Sequence, residues 1–184
     1  MPTRVATAGT LGFLVFTAWT FLINGVYGFT ARLSMHRVAD EAAVHQMLAQ
    51  HITAPGAYVV NPTLTGSHRF PDATPVFGVT YSGMGHDAAG RLMLVDLARE
   101  LLVMLLAAGL VGAASSRVRA RWTSRLAFVV ALGLVQVLAS DVARIGIGGW
   151  PTATALAMAG FHLAGWLLAA FTIAAVIGPR QRTA

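Results

Sequence analysis

Cysteine and lysine are both absent from this chain of 184 residues, and charged residues of either sign make up only 11% of it. Without cysteine there is no disulfide framework, no thiolate metal site and no thiol nucleophile. The scarcity of charge sets the chain apart from soluble domains, in which about 25% of residues are charged. Motifs that carry chemistry are missing as well. There is no His-Glu-x-x-His pair, no Gly-x-Ser-x-Gly elbow, and neither Gly83-Met-Gly85 nor Gly146-Ile-Gly148 follows a strand in the way a phosphate loop requires. Ser82, His86 and Asp87 can be written as a triad, but no elbow accompanies them. The sequence leaves the enzyme question open and leans towards a non-enzyme.

What is present is apolar. Hydrophobic residues reach 56% and mean hydropathy is +0.66. They fall into four segments, residues 9–31, 91–114, 126–145 and 152–177. Each is about the ~20 residues that a helix needs to cross a bilayer core. Residues 1–8 form a short tail, 115–125 a basic loop, 146–151 a tight turn and 178–184 a second tail. All 13 basic residues are arginine. The loop carries Arg117, Arg119, Arg121 and Arg125 and no acid, which is the positive-inside signature of a cytoplasmic segment. Arg4, Arg180 and Arg182 fall on the same side by alternation. Orientation and anionic lipid account for these seven arginines, so the net charge of +6 does not point to nucleic acid.

These features predict an all-α membrane protein of the bacterial cytoplasmic membrane: a four-transmembrane-helix bundle with both termini cytoplasmic. The first segment is longer than a signal-peptide core and no Ala-x-Ala site follows it, so it reads as an uncleaved helix. Thr17, Thr20, Asn24 and Gly28 lie on one face of it, a pattern of helix packing. Ala108/Gly112 and Gly109/Ala113 are small-xxx-small pairs near the end of the second helix. Short connections make helices two and three, and three and four, antiparallel neighbours.

Residues 32–90 form the one long polar segment and are predicted to lie outside as a small α+β cap. Ser34–His51 has helical spacing of Val38, Ala42, Val44, Leu48 and Ile52. Ala57–Val60 and Pro75–Tyr81 read as two strands, bounded by Asn61-Pro62, Gly66 and Pro71-Asp72. Asp87 or Ser82 would cap the second membrane helix. Five of the six histidines lie here. His36/Asp40 and Glu41/His45 have i, i+4 spacing, a donor set that suits a transition metal. The same residues equally make an ordinary solvated helix face.

Ionisable residues at membrane depth are the main functional lead. The second helix carries Asp96, Arg99 and Glu100, the third Gln136, Ser140, Asp141 and Arg144, and the fourth His162, on a face with Ala155, Ala159, Trp166 and Ala169. The expected network pairs Asp96 or Glu100 with Arg144, and Arg99 with Asp141. The alternative is an outward-opening pocket for an ion, a proton, a quinone or a polar headgroup. His162 with Met104 or Met158 would be a minimal haem set, although no cofactor is predicted. Three functions follow. The first is a non-catalytic accessory or scaffold subunit, with the bilayer and a protein partner or a second copy as its partners. The second is a metal- or haem-binding membrane redox protein. The third is a small oligomeric transporter or channel using the charge cluster.

Overall fold

The computed structural model describes residues 2–69, 74–85, 88–145 and 149–178. The chain is mostly helical, with one small sheet. Its contacts fall into two compact units, one of Met1–His36 with Arg91–Ala184 and the other of Arg37–Gly90.

The larger unit begins with α1, Pro2–Phe21. Proline suits a first helical position because its missing N–H would have no partner there. The helix runs into a π-helical turn, Leu22–Val26, and stops at Gly28, whose φ of 60° is left-handed. A short α2, Phe29–Ser34, follows. Asn24 caps it from the π turn: its Oδ1 accepts the Thr30 N–H at 3.2 Å and the Thr30 hydroxyl at 2.7 Å.

The smaller unit holds α3 (Glu41–His51), β1 (Gly56–Val60), α4 (Pro62–Ser67) and β2 (Phe77–Tyr81). The strands are antiparallel, with Gly56 opposite Tyr81 and Val60 opposite Phe77. Asn61 binds the unit together. It is buried, its Oδ1 accepts the Leu64 N–H at 3.0 Å to cap α4, and its Nδ2 donates to the Pro75 carbonyl at 3.1 Å. The sequence's strands are therefore found. The helix predicted over Ser34–His51 begins only at Glu41, because Asp40 takes a left-handed φ of 50° and caps the helix through the Ala43 N–H. The stretch that bounds the strands holds α4, where Asn61-Pro62 is an N-cap followed by a first-turn proline.

The chain then forms α5 (Ala89–Ala113), α6 (Ser116–Ala120), α7 (Trp122–Ser140), a 3-10 turn (Val142–Arg144) and α8 (Thr152–Val176). Among the described residues, three helices are long and apolar enough to cross a membrane: Pro2–Val26, Trp122–Arg144 and Thr152–Val176. α5 matches α8 in length but carries Arg91, Asp96, Arg99 and Glu100, and it is not one of the three.

The core interleaves small apolar residues with large ones: Ala8 and Phe16 of α1, Met104, Ala108 and Val111 of α5, Val129 and Val137 of α7, and Trp166, Ala169 and Ile173 of α8. Small residues let backbones approach, which is how helices gain packing energy where lipid supplies no hydrophobic drive. A Cβ on Gly9 would sit 2.8 Å from the Leu105 Cα, and one on Gly12 would sit 2.9 Å from Ile173. A Cβ on Gly112 would meet Val5, whereas Gly109 faces open space. Of the two small-residue pairs, then, Ala108/Gly112 faces the core. These contacts run in opposite senses along neighbours. Gly12 meets Ile173 while Trp19 donates its Nε1–H to the Phe161 carbonyl at 3.1 Å, so α1 and α8 are antiparallel. α7 and α8 are too, with Gly133 against Trp166 and Asp141 against His162.

The basic loop is more structured than its composition suggests. Arg125 lies inside α7 and is buried. Its Nε donates to the Ala174 carbonyl at 3.0 Å, and its Nη1 donates to the Arg119 carbonyl. Ala174 is in the last turn of α8, where carbonyls lack helical partners. A guanidinium there also meets the negative end of the helix dipole.

Candidate functional site

Each of the four long helices contributes to one cleft. It is lined by Phe16 of α1, by Arg99, Glu100, Val103 and Met104 of α5, by Gln136, Ser140, Asp141 and Arg144 on and beyond α7, and by His162 and Trp166 of α8. Its volume is about 320 Å³. Antiparallel packing explains the convergence. The charges occupy the first half of α5, the end of α7 and the first half of α8, and alternating chain directions bring these to one end of the unit.

The best-defined contact is between Asp141 and His162, where Oδ2 lies 2.8 Å from Nδ1. The Asp141 side chain is 3% exposed and that of His162 is 28% exposed. Asp141 caps α7 and is held by the fold, so it fixes the imidazole through Nδ1 and leaves Nε2 on the opposite edge of the ring. Among the described residues Nε2 has no hydrogen-bond partner. Beside it, Trp166 donates from Nε1 to Gln136 Oε1 at 3.0 Å, and Gln136 Nε2 donates to Ser140 Oγ at 3.1 Å. Phe16 meets the Trp166 ring edge-on with centroids 6.4 Å apart. The walls are thus aromatic and aliphatic, with a short polar relay along α7.

The pairings differ from those expected. Arg99 bonds Asp96 within α5 at 3.3 Å, and not Asp141. Arg144 lies 4.4 Å over the Trp150 ring, a cation–π contact, and not against an acid. Glu100 has no hydrogen bond or ion pair among the described residues. The reason is reach. Asp96 and Arg99 are neighbours on one helix turn, while Arg144, at the end of the 3-10 turn after α7, stacks on Trp150. Asp96 does not line the cleft; the other seven members of the sequence cluster do. Met104 lines it with His162, and Met158 does not.

Phe16, Val103 and Trp166 were not singled out for a site by sequence. Helical spacing does place Trp166 on the His162 face, and that was the available signal. On α1, the hydroxyls of Thr17 and Thr20 are buried with no hydrogen-bond partner among the described residues.

The outer histidines are dispersed. Asp40 is occupied as the cap of α3, and Glu41 and His45 sit on that helix. His36 belongs to the other unit. His68 ends α4 with a left-handed φ of 54°. Among the described residues no group of three or more His, Asp or Glu converges to hold a metal. His86 and Asp87, Pro71-Asp72, the Gly146–Gly148 stretch, Arg180 and Arg182 lie outside the described residues.

No protein-family model, no curated protein and no solved structure matches this chain.

Proposed function

We propose that this chain is a four-span protein of the cytoplasmic membrane that acts as a non-catalytic accessory or scaffold subunit of a larger membrane assembly. In this reading α5 is the fourth span, residues 32–90 lie outside, both termini are cytoplasmic, and the cleft opens in the outer half of the bilayer. The arginine-rich end, with Arg4, Arg117, Arg119, Arg121 and Arg125, is the cytoplasmic one by the positive-inside rule.

The observation that carries the proposal is the lateral face of α5. The side chains of Arg99 and Asp96 are 68% and 70% exposed. They share that face with exposed Val95 and Leu102. Glu100 stands next to the midpoint of the helix, Ala89–Ala113. At ~1.5 Å rise per residue, Asp96 lies within about 8 Å of that midpoint, inside half of a hydrocarbon core ~30 Å thick. A charge facing lipid at such depth costs at least ~2.5–3.5 kcal/mol. Two ionisable groups on an open face, Asp96 and Arg99, are therefore best accounted for by a protein surface that covers them.

A photo-crosslinking residue at Leu102, one turn from Arg99, tests this in native membranes. The expected product is one discrete protein adduct. An equivalent probe at Leu14 of α1, which is exposed among apolar neighbours, should give lipid adducts. Lipid adducts alone at both positions would overturn the proposal.

A further inference from the structure

The cleft has the attributes of a ligand site, and its chemistry narrows the ligand. An apolar cavity of roughly 150 Å³ holds one benzene, so about 320 Å³ has room for one substituted ring or two fused ones. A four-pyrrole macrocycle is larger than that. The formal charges of the lining cancel: Arg99 and Arg144 against Glu100 and Asp141, with His162 neutral. A cleft without net charge does not select an ion. It does hold donors able to meet carbonyl oxygens, namely the Ser140 hydroxyl and the Arg99 and Arg144 guanidinium groups, and it holds in the His162 Nε2 an acceptor for a ligand hydroxyl. Phe16 and Trp166 supply flat walls, Val103 and Met104 aliphatic ones. His162 is already oriented by Asp141 at 2.8 Å, so its ring needs no further ordering when a ligand arrives.

We infer that this cleft binds the headgroup of a lipid-soluble quinone or its reduced quinol, with the Ser140 hydroxyl and the arginines facing its oxygens, the His162 Nε2 accepting from a quinol hydroxyl, and Trp166 and Phe16 flanking the ring. A quinone is neutral, planar, of one or two rings, rich in carbonyl acceptors and resident in the bilayer. It is the ligand class that meets the size, charge and hydrogen-bonding character of the lining together. This inference does not depend on the subunit reading: it requires only the isolated chain.

The test uses the full chain in nanodiscs, titrated with ubiquinone and with menaquinone, each carrying a single isoprene unit. Quenching of tryptophan fluorescence is the readout, since Trp166 lines the cleft. Saturable quenching by at least one of them is expected, and preference between the two tells a one-ring from a two-ring headgroup. With each headgroup in its reduced quinol form, His162→Leu should weaken binding about tenfold, the scale of one lost hydrogen bond. Val103→Phe fills the cleft from α5 without touching the polar relay and should abolish binding. It serves as the second variant if His162→Leu fails to fold. Trp166→Phe should remove most of the quenching while a radiolabelled quinone still binds. Several results would overturn the inference: no saturable quenching by either quinone, undiminished binding in the folded Val103→Phe protein, or equally tight binding of naphthalene, which lacks the carbonyls. Saturable binding of tetraphenylphosphonium with none of either quinone would also overturn it, by showing that Glu100 and the aromatic walls select a lipophilic cation.

Discussion

Gly133→Ala is the smallest substitution that should disturb the site. A Cβ at this position would stand 2.5 Å from the Trp166 Cγ and 2.7 Å from its Cβ and Cδ2. Carbon atoms in good contact are about 3.5–4.0 Å apart, so the indole must retreat by roughly 1 Å. The clash is with the stem of the side chain, not its tip, and rotation alone cannot relieve it. The retreat pulls Nε1 away from Gln136 Oε1, now 3.0 Å distant, and disturbs the edge contact with Phe16. Overpacking costs about 1–3 kcal/mol, and a hydrogen bond between helices in a bilayer averages about 0.6 kcal/mol. The helix-propensity gain of alanine over glycine, up to about 1 kcal/mol, offsets part of this. A net loss of about 1–3 kcal/mol follows from the two costs and that gain. Reversible unfolding in SDS measures it. Gly109→Ala is the matched control, because nothing lies within 4 Å of a Cβ there; it should be neutral or slightly stabilising. Equal stability of the two variants would refute the packing argument.

Three further outcomes are expected. Asp141→Asn keeps an acceptor for the His162 Nδ1–H and should lower SDS resistance less than Asp141→Leu, which leaves the imidazole without its partner at a cost of about 1–3 kcal/mol; the two variants compared side by side give the difference. Arg125→Lys should lose roughly the stability of one charge-assisted hydrogen bond, about 1.5–3 kcal/mol, because one ammonium cannot take the places of both Nε and Nη1, and thermal unfolding in detergent reads it. Asn61→Asp should keep the α4 cap but lose the donor to Pro75, and limited proteolysis of residues 37–90 should accelerate less than in Asn61→Ala, which loses both contacts.

Much of the architecture is legible in the chain because hydropathy and turn chemistry act locally. The apolar runs mark the long helices, the β-type runs between turn residues mark β1 and β2, and the convergence of polar residues at one end follows once the helices alternate in direction. Boundaries were less legible. Pro2 can start a helix as readily as Gly9, and α1 ends where Asn24 prefers to cap α2 through a π turn. Ser34–His51 has helical spacing throughout, but Asp40 in a left-handed conformation defines where α3 starts. The ion pairs were the least legible. Charge alone matches Arg99 with Asp141 and Arg144 with an acid, whereas helix rotation and the 3-10 turn decide which groups meet. Asp141 found a histidine and Arg144 an indole.

The central claim is that charges on α5 face protein and not lipid. Native mass spectrometry after gentle extraction from the native membrane tests it most directly, with the wild-type chain beside an Asp96→Leu, Arg99→Leu double variant. The account predicts stoichiometric extra protein mass on the wild type and its loss from the variant, with the variant still folded. A wild-type chain that flies as a monodisperse monomer carrying only lipid would contradict it.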